Sequence, residues 1–171
     1  QIRLIHRYTK NITILYDGDT AGIKASFRGI DLILEEGMNV KVLLFPDGED
    51  PDSYCKRVGP VDFASFLEEQ KQDFILFKAR LLLGDAGNDP LKKAEVLKDI
   101  VDSICKIPDA FKRSTFLHET AVLLKVDEQL LINESNKILR LKAAGENRIS
   151  RFETLPEVDE KEELIEAVQD L

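Results

Sequence analysis

The sequence of 171 residues predicts an α/β fold that continues into an all-α segment, on three observations. Two short apolar runs, 12–16 and 40–45, are separated by a stretch with helical periodicity. A strand, a helix and a strand within about 35 residues form a β-α-β unit, and its right-handed crossover makes the strands parallel neighbours. After Gly59-Pro60 the apolar spacing is helical throughout, which predicts a small bundle with short loops.

The predicted β-α-β unit follows a short helical stretch. Residues 1–9 are amphipathic and are expected to form the end of a helix. The segments "NITILYD" at 11–17 and "VKVLLFP" at 40–46 are continuously apolar, which is typical of strands covered on both faces. Residues 20–36 follow a helical period between them, and Gly37 fits the C-terminal end of that helix. The stripe expected to face the core consists of Ile23, Phe27, Ile30 and Leu34.

Helical periodicity after residue 60 predicts four helices. Asp89 and Pro90 have the residue types of an N-cap and a first helical position. The predicted helices are 61–83, a second that starts at Pro90 and ends or restarts at Pro108, a third over 110–124, and a fourth from Asp127 to about residue 142. These lengths and loops are those of a compact helical subdomain.

The chain divides into three predicted segments. Residues 1–60 form the α/β portion, 61–144 the helical portion, and 145–171 an acidic tail that we expect to be a solvated linker or a loosely held helix. The opening "QIRLIHRY" has the pattern of the inside of an amphipathic helix. We therefore expect the chain to be cut from a longer protein.

The composition excludes several classes of protein. A hydrophobic content of 43% is enough for a core, and a net charge of −8 argues against a strongly nucleic-acid-binding surface. Cys55 and Cys105 lack the spacing of a zinc site and are expected to be reduced thiols. No signal segment is recognisable, and no apolar run approaches the roughly 20 residues of a membrane span. We expect a cytoplasmic protein without membrane association.

Two acidic pairs follow the two predicted strands. Asp17 and Asp19 come directly after the first strand, and Asp50 and Asp52 follow the second. Because functional groups in such sheets collect beyond the carboxyl ends of the strands, the four carboxylates are expected to lie together. Their repulsion needs a cation, and hard oxygen ligands at open positions suit magnesium. The sequence therefore predicts a divalent-metal site.

Each pair also has a purely structural interpretation. The first can be a turn in which Asp19 caps the following helix, and "DGEDPD" at 47–52 can be an exposed acidic loop. The two interpretations are compatible, since a capping carboxylate can coordinate a metal through its other oxygen.

The acidic motifs and their spacing resemble a known family. "YDGDTAG" at 16–22, followed by "FPDGEDPDS" at 45–53, is similar to the Toprim segment of bacterial DnaG-type primases. Residues 61–142 also resemble the helical subdomain that follows Toprim in these enzymes, and the acidic tail lies where the family connects to its helicase-binding C-terminal domain. The resemblance implies a partial Toprim-like sheet followed by a helical bundle.

The resemblance also implies an activity. Such primases are nucleotidyltransferases, DNA-directed RNA polymerases that make short RNA primers for DNA replication. By resemblance, Asp17 and Asp19 match the family's DxD ligands, and Asp50 and Asp52 match its DPD pair, all four in catalytic and metal-binding roles. Mg²⁺ or Mn²⁺ would hold the phosphates of the incoming nucleotide.

The implied partners belong to the whole primase. They are a single-stranded DNA template, nucleoside triphosphates and, through a C-terminal domain absent from this chain, the replicative helicase of the primosome. The zinc-binding domain, the basic template-binding subdomain and the catalytic glutamate of an upstream "EG" motif are not found in this sequence. We therefore expect the isolated chain to be inactive.

Two other functions are compatible with parts of the sequence. A haloacid-dehalogenase-type phosphatase also places an acidic DxD after a strand, with Asp17 as its nucleophile, but its pattern requires Thr or Val where Ala21 stands. A non-catalytic acidic interaction module is the second alternative. Divalent-metal binding by the four aspartates would argue against the latter.

Overall fold

The computed structural model describes residues 1–17, 20–46 and 49–153. Its helices and strands are, in order, α1 (Ile2–His6), β1 (Asn11–Tyr16), α2 (Thr20–Glu35), β2 (Asn39–Leu44), α3 (Pro51–Val58), α4 (Pro60–Gln70), β3 (Gln72–Asp73), α5 (Phe74–Ala86), α6 (Pro90–Ile104), α7 (Ala110–Leu124) and α8 (Glu128–Glu153). The chain divides into two compact units, 1–138 and 139–171. The predicted segment boundaries at 60 and 144 stay predictions, and residues 154–171 of the acidic tail lie outside the described residues.

The predicted β-α-β unit is confirmed. β1 and β2 are parallel neighbours, paired from Asn11↔Asn39 to Tyr16↔Leu44. The helix between them ends at Glu35, and Gly37 follows with a φ of +78°, which glycine readily adopts, while its N–H donates to the carbonyl of Leu34. The predicted inner stripe of α2 is buried: Ile23, Phe27, Ile30 and Leu34. The sheet and helix therefore follow from apolar periodicity.

The environment of β1 differs from the prediction. Its residues alternate between exposed and half-buried, whereas Val40, Val42 and Leu43 of β2 are buried. The strand order is β1-β2-β3, so among the described strands β1 has a neighbour on one side only. The prediction that both faces of β1 are covered is wrong for this chain, because continuous apolar character reports what a strand can bury and not what is present to cover it.

The segment predicted as one helix over 61–83 is interrupted. It contains α4, the two-residue strand β3 and α5, and β3 pairs antiparallel with β2 through Lys41↔Asp73 and Val42↔Gln72. The Asp73 carboxylate accepts a 2.8 Å hydrogen bond from the backbone N–H of Ile75, which makes it the N-cap of α5. The capping hydrogen bond of Asp73 and the pairing with β2 therefore interrupt the helix that continuous apolar periodicity predicts.

The helical part is built around α5, which contacts β2, α6 and α7. Aspartates also cap the three helices that follow α5: Asp89, Asp109 and Asp127 accept hydrogen bonds from backbone N–H groups of α6, α7 and α8. The buried apolar side chains include Phe74, Ile75, Phe77, Ile100, Val101, Ile104, Leu117, Ala121 and Leu131. This arrangement confirms a helical bundle following the parallel unit.

Within 1–17, 20–46 and 49–153, no helix has the length and apolar character that a bilayer crossing needs.

Candidate functional site

The ends of β1 and β2 define one edge of the sheet. The backbone N–H of Phe45 donates a 2.9 Å hydrogen bond to the carbonyl of Tyr16, so the two strands end at the same level. Asp17 follows β1 directly and is exposed, and the chain after Phe45 leads within a few residues into α3. Both acidic motifs thus begin at the carboxyl edge of the parallel pair, where α/β proteins bind ligands.

Asp50 is the N-cap of α3. Its Oδ1 accepts hydrogen bonds from the backbone N–H groups of Asp52 and Ser53, both at 2.9 Å, and its Oδ2 accepts a 2.8 Å bond from the Ser53 hydroxyl. The backbone hydrogen bond from Ser53 is the largest cause that lowers the pKa of Asp50, so this carboxyl group is ionised at neutral pH. Each carboxylate oxygen has further lone pairs, so the cap does not exhaust the capacity of Asp50 to bind a cation.

Two basic side chains of α3 offset nearby acidic charge. The ammonium of Lys56 pairs with the carboxylate of Asp52 one turn earlier, and the guanidinium of Arg57 pairs with Glu49 at 3.0 Å. Asp52 and Lys56 are both largely exposed, so their attraction is weak in water and a metal ion can replace it. These two ion pairs therefore offset acidic charge at the start of α3.

An aromatic cluster attaches α3 to the sheet. Phe45, at the end of β2, has its ring centroid 5.4 Å from that of Tyr54 on α3. Tyr54 in turn lies 4.5 Å from Phe66 of α4, and the Arg57 guanidinium is 4.9 Å from the centre of the Tyr54 ring. These contacts fix the start of α3, and with it Asp50 and Asp52, relative to the strand ends.

The four predicted site residues are not all covered by the structure. Asp17, Asp50 and Asp52 are described and exposed, but Asp19 lies outside the described residues. Within the described ranges, no three or more His, Cys, Asp or Glu side chains are grouped closely enough to hold a metal ion. The all-carboxylate donor set suits Mg²⁺ or Mn²⁺, yet the described aspartates do not form such a group by themselves, so the predicted site depends on Asp19.

The cap at Asp50 was recognisable in the sequence but was not predicted. Asp50-Pro51 is the same N-cap and first-helix-position pair as Asp89-Pro90, which correctly predicted the start of α6. The pairing of Glu49 with Arg57, eight residues apart, has no comparable local signal, because it depends on the path of the loop onto α3.

Comparison with known proteins supports the class that the fold indicates. A Toprim-like family model matches residues 1–55. The DNA primase of Staphylococcus aureus (strain COL) is 30% identical over 133 residues, which cover 78% of this chain and 22% of that protein. The DNA primase of Staphylococcus epidermidis is 28% identical over 130 residues, 76% of this chain and 22% of that protein. The chain thus spans about a fifth of the length of the curated relatives it matches.

A solved structure extends the similarity beyond the sheet. The DnaG primase catalytic domain bound to single-stranded DNA matches with a TM-score of 0.63 and 26% identity, over 75% of this chain and 42% of that one. The parallel unit and its acidic strand ends place the chain in the Toprim-like class. Because the similarity continues through the helical segment, the chain is similar to part of the bacterial DnaG-type DNA primases. The phosphatase and the interaction module are not favoured.

Proposed function

We propose that this fragment contributes part of the catalytic centre of a primase, an RNA polymerase that copies single-stranded DNA into short primers from nucleoside triphosphates. The observation that carries the proposal is the placement of both acidic motifs at the carboxyl edge of a Toprim-like parallel pair. The relatives are named DNA primase, and a structural neighbour was solved with single-stranded DNA, which supports this substrate class.

The proposed metal ligands are Asp17, Asp19, Asp50 and Asp52, with Mg²⁺ or Mn²⁺ as the ion. Such an ion offsets the negative charge of nucleotide phosphates during nucleotidyl transfer. The contribution of the chain is positional: the α3 backbone holds the Asp50 carboxylate ionised and fixed, and the aromatic cluster fixes α3 on the sheet. The Lys56 ammonium pairs with the Asp52 carboxylate when no metal ion is bound, and a divalent ion would replace it there.

The remaining assignments concern the whole protein. We propose a cytoplasmic primase that meets the replicative helicase of the primosome through a domain outside this sequence, with zinc likewise bound elsewhere in the protein. The named primase relatives, of which this chain matches about a fifth, support a larger assembly of this kind.

Calorimetric titration with Mg²⁺ and Mn²⁺ tests the metal site. We expect the double variant Asp17→Asn, Asp19→Asn to lose divalent-ion binding that the unaltered protein shows. The matched control is Asp102→Asn with Glu119→Gln, which removes the same charge from exposed positions of α6 and α7. Loss of binding in the control as well would mean that net charge, and not a site, attracts the ion.

The titration is repeated in the longer primase chain that contains this fragment, because further ligands are expected upstream. Binding there that depends on Asp17 and Asp19 supports the proposal. No binding in either chain contradicts it.

A further inference from the structure

A buried lysine lies at the centre of the molecule, apart from the acidic motifs. Lys78 of α5 is 1% exposed, and a buried ammonium requires partners to offset the loss of water. Its Nζ donates to the Asp99 carboxylate at 2.9 Å and to the Ser103 hydroxyl at 2.8 Å, both on α6. Lys78 also lies 5.2 Å from the centre of the Phe27 ring on α2. One side chain thus joins three helices.

Ser103 extends this network to α2. Its hydroxyl accepts from Lys78 and donates to the Asp31 carboxylate of α2 at 2.8 Å. Asp31 is half-buried, and burial raises its pKa while the Ser103 hydrogen bond opposes the rise. Lys106, two residues after the end of α6, and Glu35 of α2 form a further ion pair at 2.9 Å. The polar contacts therefore fix α2 against α6 along its second half.

The same helix α5 supports the end of β1. Phe77, one residue before Lys78, stacks on Tyr16 with ring centroids 6.4 Å apart. Phe74 meets Phe27 edge to face at 5.5 Å. Tyr16 is the last residue of β1 and directly precedes Asp17, and its hydroxyl is hydrogen-bonded to Ser26 of α2. α5 consequently contacts the elements on both sides of the segment that carries Asp17 and Asp19.

We infer that Lys78 is a positioning residue for the proposed metal site, acting through Ser103 and Asp31 on α2; this inference rests on the proposed function. The Lys78 ammonium binds the Asp99 carboxylate and the Ser103 hydroxyl directly, and Ser103 connects it to the Asp31 carboxylate, so the network fixes the relative placement of the three helices. An apolar side chain could fill the same volume but would not select that placement. The Tyr16–Ser26 hydrogen bond ties α2 to the last residue of β1, so a shift of α2 would move the end of β1, and Asp17 with it, relative to Asp50 and Asp52.

Two variants test the inference in the longer primase chain, with Mg²⁺ or Mn²⁺ affinity as the readout. Ser103→Ala removes the bridge between Lys78 and Asp31 while leaving both charges, and Lys78→Met removes the ammonium. We expect the dissociation constant to rise by about 3- to 10-fold in each, the size of effect typical of mutations along a coupling network. Combining the two should add little, since both break one path.

The matched control is Ser135→Ala. Ser135 of α8 is also a buried serine, and its hydroxyl lies 3.2 Å from the sulfur of Cys105, the residue that follows α6. We expect its loss to leave metal affinity unchanged even if it lowers the free energy of unfolding. Circular dichroism establishes that each variant is folded, and Ser103→Ala decides the question if Lys78→Met does not fold.

Two results would count against this inference, and a third would count against the proposed function. Unaltered affinity in folded Ser103→Ala would overturn the positioning role while leaving the metal site intact. Equal losses in Ser103→Ala and Ser135→Ala would assign the effect to general destabilisation. Absence of metal binding in the unaltered protein would instead refute the proposed function on which the inference rests.

Discussion

At the scale of single residues, burial decides which carboxyl groups are easily ionised. Asp73 caps α5 and faces Lys41 across the β2–β3 pair, yet burial raises its pKa from 3.8 to about 6. Asp109 also caps a helix, but it is exposed, and its hydrogen bond from the Lys112 backbone lowers its pKa. The same capping role therefore gives opposite pKa shifts, because the two sites differ in contact with water.

Asp73→Asn should change how stability depends on pH. The folded state holds the Asp73 proton more tightly than the unfolded state, so this group's stabilising contribution is complete below about pH 4 and lost as pH rises through 6. Asparagine keeps the cap without the charge. As the pH rises from 4 to 7, we therefore expect the free energy of unfolding of the variant to increase by about 1–3 kcal/mol relative to that of the unaltered protein. Urea unfolding at these two pH values measures the difference.

Asp109→Asn is the control for this prediction. Because the pKa of Asp109 is lowered in the folded state, its carboxylate stabilises the protein above the pKa of the unfolded state, and this contribution is lost as the pH falls. The variant should therefore be less stable than the unaltered protein at pH 7, and the difference should shrink at acidic pH. A pH-independent difference between Asp73→Asn and the unaltered protein would contradict the assignment.

At the scale of helices and strands, a few local interactions specify where the helices begin and end. Aspartate side chains accept hydrogen bonds at the starts of α3, α5, α6 and α7. Gly37 ends α2 with a positive φ, but the corresponding position after α7 is Lys125, at φ 54° and ψ 46°. A residue with a Cβ is disfavoured in this left-handed conformation. The end of α7 is therefore less favourable than the end of α2.

Lys125→Gly should stabilise the protein. Glycine adopts the left-handed conformation without the Cβ penalty, and Lys125 is exposed, so little packing is lost. We expect a gain of about 0.5–1 kcal/mol in the free energy of unfolding, measured by urea denaturation. Lys125→Ala removes the same side chain but keeps the Cβ, so it should give no gain. Equal gains in both variants would show that the lysine side chain, and not the backbone, is responsible.

At the scale of the whole molecule, the α/β and helical portions share one core within residues 1–138. Phe27 of α2 packs against Phe74 of α5, and α5 also contacts β2. The Lys78 network adds polar contacts between α2 and α6. The sheet consists of two strands of six residues and a third of two residues, and so small a sheet needs helices packed against it to be stable. The two portions therefore depend on each other, even though they differ in secondary structure.

We expect these two portions to unfold in one transition. Urea unfolding can be followed by far-ultraviolet circular dichroism, which reports the helices, and by hydrogen exchange of the β2 amides, which reports the sheet. Coincident midpoints are expected because Phe74 and Lys78 lie in the shared core. An earlier midpoint for the β2 amides would show that the α/β portion is a separate folding unit.

The sequence by itself determined the local features of this protein. Apolar periodicity predicted β1, α2 and β2. Asp89 and Asp127 are residue types that favour helix starts, and they predicted the starts of α6 and α8. The order of the two acidic motifs indicated the family of the primases that the chain matches. These features could be predicted because each depends on residues close together in the chain. The local signal at Asp50-Pro51 was equally clear, and the capping role of Asp50 follows from it.

Only the tertiary structure decided which surfaces meet. β1 is an edge among the described strands, β3 pairs with β2 inside a helical period, Lys78 is buried, and Asp73 has a raised pKa. Burial and its effect on charge arise from elements distant in sequence, so no local pattern contains them. The sequence predicted the helices of the second portion but not what they pack against; in the structure, α5 contacts both elements that flank the first acidic motif.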